Sequence, residues 1–309
     1  MAHTGTFGDN LFRAALLSAA ALILVIMIAI VVMIAMNSMP TIREYGLGFL
    51  FAQGWNPSRS VFGALPFIYG TIISSLIALV IAVPVSLGIA IFLVEQAPPG
   101  ISRPIAFMVE ILAAIPSVVY GLWGIFVLAP FIRNDLGPVL QDYFGWLPLF
   151  QGRLTGIGML TGGIILAIMI TPIITAVVRD VLAAVPANQR EAALALGATK
   201  WETTVIILGN AVSGIAGAVV LGLGRAVGET MAITMVIGNS PQITASLFEP
   251  AYTIASVLAA NFADATDEIY LSALVEMGLV LFLVTLFINA AAKFLIMSVA
   301  RRTGAASHI

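Results

Sequence analysis

Along the chain, long apolar runs alternate with short clusters of charge, Gly and Pro. Six runs are long enough for a helix to cross hydrocarbon, which takes about 20 residues. They are Ala14 to Met36, a stretch within Pro66 to Val94, Ile105 to about Ile132, about Leu154 to Val178, a stretch within Val205 to Ile237, and Ile269 to about Val299. The polar connections are Asn37 to Leu65, Glu95 to Pro104, Arg133 to Arg153, Arg179 to Thr204 and Gly238 to Glu268. The pattern predicts an all-α polytopic membrane protein with six transmembrane helices. Residues 1–65 would carry an N-terminal tail, the first span and an external loop. Residues 66–299 would hold a five-helix core, and 300–309 a cytoplasmic tail.

The first run spans 23 residues. The apolar region of a cleaved signal is only about 7–15 residues, so the run reads as an uncleaved span. With the N-terminus inside, Arg13, Arg103, Arg179, Arg190, Lys200, Lys293, Arg301 and Arg302 fall on the cytoplasmic side, against Arg43, Arg59, Arg133 and Arg153 outside. That excess predicts both termini in the cytoplasm. Pro84, Pro116 and Pro172 lie within spans and read as packing kinks. The fifth span carries Gly214, Gly217, Gly222, Gly224 and Gly228. Gly224 and Gly228 have the spacing that lets helices approach closely, which predicts an interior position for this helix.

Composition sharpens the picture. The chain is 61% hydrophobic and 9% charged, whereas an ordinary soluble domain has about 25% charged residues. Its net charge of −2 offers no broad cationic face, so nucleic acid is not an expected partner. With no cysteine there are no disulfides or thiolate metal sites. His3 and His308 are both terminal, so no metal site or histidine-based catalysis is expected. No Gly-x-x-x-x-Gly-Lys-Ser/Thr motif occurs, so no ATPase site is expected in this chain.

One connection has internal order. In Arg179 to Thr204, good helix formers run from Gln189 to Leu196, with Asn188 placed to cap them and Gly197 placed to end them. A short helix outside the bilayer, tied to the fourth and fifth spans, is a mechanical handle. The stretch Glu191, Ala192, Ala193, then Gly197 and Ile207, resembles the EAA signature of ABC importer permeases. That resemblance implies the type I importer permease fold and a coupling helix, carrying Glu191, Ala192, Ala193 and Gly197, that docks into a cytoplasmic ATPase. The family motif closes with Leu-Pro where this chain has Gly209 and Asn210, and a bend is expected to survive there, with the helix restarting near Val212.

From Thr203 to Phe248 the only charges are Arg225 and Glu229. A charge held in hydrocarbon costs a few kcal/mol or more and tends to be functional. The restarted helix would place Arg225 beyond mid-membrane, in the outer half. The planar guanidinium fork suits an oxyanion, which makes Arg225 the first candidate for contact with a moving anion. Glu229, one turn on, has two compatible roles: to neutralise Arg225 at rest, or to open and close the pair as a gate. A third is to accept a proton from phosphate and so disfavour sulfate. Thr230 and Glu276 complete the candidate pathway. Glu276 would pair with Arg225 or lie at the outer interface, and we favour the interface or a packing role. Glu110 is expected to reach the cytoplasmic headgroups or Arg103.

Residues 224–239, with Ala113 to Gly124 and Glu276 to Met297, resemble the phosphate ABC transporter permeases, and among those the PstC-type subunits. The resemblance covers about Val61 to Met297. It implies a subunit of an importer in the bacterial inner membrane, with a homologous second permease, an ATPase dimer that binds ATP and magnesium, an external phosphate-binding protein, and phosphate as cargo. Two rivals have distinct signatures. One is an ABC permease for another oxyanion such as sulfate or molybdate. The other is a proton-coupled secondary transporter with Arg225, Glu229 and Glu276 as a relay; such folds commonly show internal repeats, and no convincing one is found.

Overall fold

The computed structural model describes residues 7–302, with side chains from 8 to 294. His3, His308 and most of the expected C-terminal tail lie outside the described residues. The described chain is helical, with only two isolated β-bridges and no strand. The principal helices are α1 (Phe7–Asn37), α2 (Leu65–Ile91), α3 (Pro99–Ala114), α4 (Ser117–Phe144, with π-helical turns), α5 (Met159–Ala183), α6 (Ala187–Ala195), α7 (Lys200–Gly228), α8 (Met231–Val236), α9 (Ile254–Asn261) and α10 (Glu268–Arg302). Among the described residues six helices, α1, α2, α4, α5, α7 and α10, are long and apolar enough to cross a membrane.

The centre of the bundle is α5, with 67% of its most apolar window buried. Its widest contact is with α2. Ile77 of α2 packs on Gly163, and Ser86 donates to the Thr171 carbonyl at 3.1 Å, so the two helices run parallel. On the other side α7 runs antiparallel: Gly214 abuts Val181, and Gly222 abuts Ile174 and Ile170. A Cβ on Gly222 would stand 2.7 Å from Ile174, so this approach needs glycine.

Several expectations change. The fifth span is not interior to this chain. Only 22% of the apolar window of α7 is buried, and Gly217, Gly224 and Gly228 face open space. Helix α5, rich in branched side chains, takes the centre instead. The helix does not stop and restart at Gly209 and Asn210: α7 runs unbroken from Lys200, and Asn210 Nδ2 donates to Gln189 Oε1 of α6 at 2.8 Å. Poor helix formers cost up to about 1 kcal/mol each in a helix interior, too little to break one that must satisfy its own backbone in lipid.

The third span also shifts. Residues 105–114 belong to α3. Ser102 of α3 bonds to Leu93 and Glu110 to Arg179, which sit at nearly the same depth of the α2–α5 pair, so α3 is inclined across that end. Ile115 and Pro116 are extended, and the membrane-length helix begins at Ser117 and continues to Phe144, through residues 133–144 that read as a polar connection. Pro116 is therefore a break rather than a kink, whereas Pro84 and Pro172 stay inside α2 and α5. The connection Gly238 to Glu268 is ordered too. It contains α9, whose Thr253 and Ser256 form a capping box, and its Tyr252 carbonyl rests against Gly70 so closely that no Cβ fits there.

Candidate functional site

Arg225 stands in the last turn of α7, beside Ile173 near the middle of α5. This is mid-depth on the central helix, not the outer half, because α7 does not restart at Val212. Ile173, Val220, Leu221, Gly224 and Asn289 of α10 share an open cavity of about 470 Å³ with the guanidinium. Asn289 Oδ1 is buried there without a hydrogen-bond partner.

Glu229 is not on the helix with Arg225. Its backbone is extended and ends α7, and Thr230 follows before α8 begins. The ion pair forms all the same: Arg225 Nη2 lies 3.4 Å from Glu229 Oε2, with the arginine side chain 50% exposed and the glutamate 4%. The other carboxylate oxygen accepts the Ala232 backbone N–H at 3.3 Å. A carboxylate at a helix N-terminus is favoured by unpaired N–H groups and by the dipole, so Glu229 is fastened to the first turn of α8. Thr230 donates to the Gly228 carbonyl at 3.3 Å and its own carbonyl accepts from Thr234 Oγ1. Gly121 packs on Ala232 and Met235, and Gly124 on Val236. Helices α4 and α8 therefore run parallel, and the breaks that precede them lie side by side.

Glu276 does not join this group. It is buried at 6% exposure, with Oε2 unpartnered, one turn from Ser272, which ties α10 to the Asn37 carbonyl and the Thr41 amide. It lies 13 residues along α10 from Asn289, about 20 Å at 1.5 Å per residue. Glu110 pairs not with Arg103 but with Arg179 of α5, at 3.0 Å.

Beyond the C-terminal end of α5, α6 carries the EAA residues. Pro186, not Asn188, occupies the cap position, because the extended proline already starts the helix at Ala187. Gly197 ends it as expected, with φ +88°. The Gly197 amide bonds to the Leu194 carbonyl and the Ala198 amide to Ala193, a double closure that the left-handed glycine permits. Glu191 and Ala192 are exposed and Ala193 is buried. Leu194, Leu196 and Trp201 are also exposed, at 51%, 89% and 66%. These apolar residues were not singled out in the sequence, nor was the capping box of Thr199 and Glu202 that starts α7, although its Thr-x-x-Glu spacing is visible there.

The sequence profile of the family described as binding-protein-dependent transport system inner membrane component matches residues 86–304. The phosphate transport system permease protein PstC of Mesorhizobium japonicum is 45% identical over 302 residues, covering 96% of this chain and 92% of that one. The chain belongs to the PstC permease family. The probable phosphate transport system permease protein PstC of Methanocaldococcus jannaschii is 36% identical and covers 90% of each chain. A solved inward-facing structure of the MetNI methionine ABC transporter aligns with TM-score 0.52 at 19% identity, over 77% of this permease and 94% of that chain. That likeness speaks for the fold. The permease is thus a multi-pass inner membrane transport component.

Proposed function

We propose that this permease carries inorganic phosphate across the bacterial cytoplasmic membrane as one subunit of an ATP-driven importer. The observation that carries the reading is Arg225, a half-exposed cation at mid-depth whose only ion pair among the described residues is one 3.4 Å contact to Glu229. A guanidinium has five N–H donors. One long contact leaves most of them free for an oxyanion, while Glu229, held by α8, offsets the charge when the path is empty. The names of the relatives supply phosphate as the cargo. The relay reading has no geometric support, since Glu276 is far along α10 from the pair.

The termini and α6 face the cytoplasm in this reading. Glu191, Ala192, Ala193 and Gly197 with the exposed Leu194, Leu196 and Trp201 form the surface on which an ATPase dimer docks and supplies ATP and magnesium chemistry. The open glycine face of α7 meets a homologous second permease, and the phosphate path runs between the two. An external phosphate-binding protein docks at the other side. The test is phosphate uptake into proteoliposomes holding the permease with these partners, with and without ATP and with sulfate as competitor. ATP-dependent uptake resistant to sulfate is expected. Uptake that ignores ATP and follows a proton gradient would overturn the reading, and sulfate competition would change the cargo.

A further inference from the structure

Chain connectivity ties α6 to α5 and α7, but nothing covalent links it to α2. Arg190 makes that link. Its Nε and Nη2 donate to Glu95 Oε1 at 3.1 and 2.8 Å, in the π-helical turn Phe92–Gln96 that continues α2. Its Nη1 donates to the Val185 carbonyl and Nη2 also to the Leu182 carbonyl, both at 2.9 Å, at the end of α5. Every nitrogen of the guanidinium is engaged, and the side chains are only 23% and 11% exposed. The cation also sits where the carbonyl end of α5 favours positive charge. The Gln189–Asn210 bond ties the same helix to α7.

We infer that Arg190 is a positioning residue for energy coupling. It clamps the EAA helix to the inner ends of α2 and α5, so that movement imposed on α6 reaches α2 directly. The inference rests on the importer reading, in which α6 is moved by the ATPase. Through α2 the movement enters the most extensive helix contact of the bundle. Rigid-body transmission of this kind needs a fastening that does not yield when the ATPase pulls.

The chain has no cysteine, so spin labels can be placed at Gln96→Cys and Ala195→Cys, both exposed, in the complete reconstituted complex. The interlabel distance should be the same with and without ATP, and should become nucleotide-dependent when Arg190→Gln is added. Phosphate moved per ATP hydrolysed should fall about tenfold in Arg190→Gln, within the range that residues along a coupling route command, while hydrolysis persists. Glu95→Gln should reproduce the loss, and the double variant should be no worse than either single one. A nucleotide-dependent distance with Arg190 intact, unchanged stoichiometry, additive losses, or release of the ATPase from the complex would each overturn the inference. If Arg190→Gln does not accumulate, Arg190→Lys and Glu95→Gln give the same readouts. Lack of ATP-dependent uptake by the unsubstituted complex is a failure of the importer reading instead, and the interlabel distance still reports whether Arg190 holds α6 to α2.

Discussion

Two arginines, each beside a glutamate, are bonded in opposite ways in this molecule. Arg190 is engaged through all three of its nitrogens, by carboxylate and carbonyl oxygens. Arg225 has one ion-pair contact at 3.4 Å and an open cavity beside it. A guanidinium bonded through every one of its nitrogens is a fastening, because moving it breaks several bonds at once. One whose donors are mostly unused can exchange partners at little cost. In the proposed reading the same side chain serves as a joint at the EAA end and as an anion contact at mid-depth, and the difference lies in the acceptors that surround it.

The harshest way to break the comparison is to remove Arg225. Arg225→Gln removes the charged fork from the proposed path, and initial phosphate uptake should fall about 100-fold, the scale of losing hydrogen bonds to a charged group. ATP hydrolysis should continue, and normal uptake would show that Arg225 is not on the path. A finer test uses lysine at both positions. Arg225→Lys keeps the charge but loses the fork, and uptake should fall about tenfold. Arg190→Lys should instead leave phosphate affinity unchanged and lower only the uptake per ATP. If both variants alter affinity equally, the distinction between contact and joint is wrong.

The glycines of α7 sharpen the same division between a packed side and an open one. Gly222→Leu should overpack against Ile174 and cost about 1–3 kcal/mol of stability, seen as a lowered midpoint of thermal unfolding in detergent. Gly224→Leu meets open space within this chain, so stability of the isolated subunit should hold while assembly with a second permease and uptake fail. The smallest effect is expected at the EAA end, where Thr199→Ala removes the capping box of α7. A lowering of about 2 °C in that midpoint, with uptake retained, would place Thr199 in the scaffold alone.

Much of this was legible in the sequence. The number of spans follows from run length, since hydrocarbon enforces about 20 apolar residues per crossing, although the third begins at Ser117 rather than Ile105 because the chain breaks at Ile115 and Pro116. The EAA helix follows from its helix formers and the terminating Gly197, and the Arg225–Glu229 pair from the isolation of two charges in an apolar stretch. The misreadings share a cause. Gly209, Asn210 and Asn188 were judged by local preference, but the backbone bonds of a long helix and the extended Pro186 overrode it. Glu229 was placed on a helix because a four-residue spacing looks the same whether or not the helix ends there. Glu110 and Glu95 found partners 69 and 95 residues away, which no local pattern announces.

The sequence by itself determined what must be bought from the solvent: how many helices enter lipid, where a helix lies outside it, and which charges are out of place there. Those are properties of single segments, read from transfer cost and helix chemistry. Only the tertiary structure decided that α5 rather than α7 is central, that Glu276 lies apart from Arg225, and that Arg190 is bonded through all its nitrogens while Arg225 has a single ion-pair contact. Each depends on which atoms of distant segments come within hydrogen-bonding reach, and that is set by packing across the whole bundle.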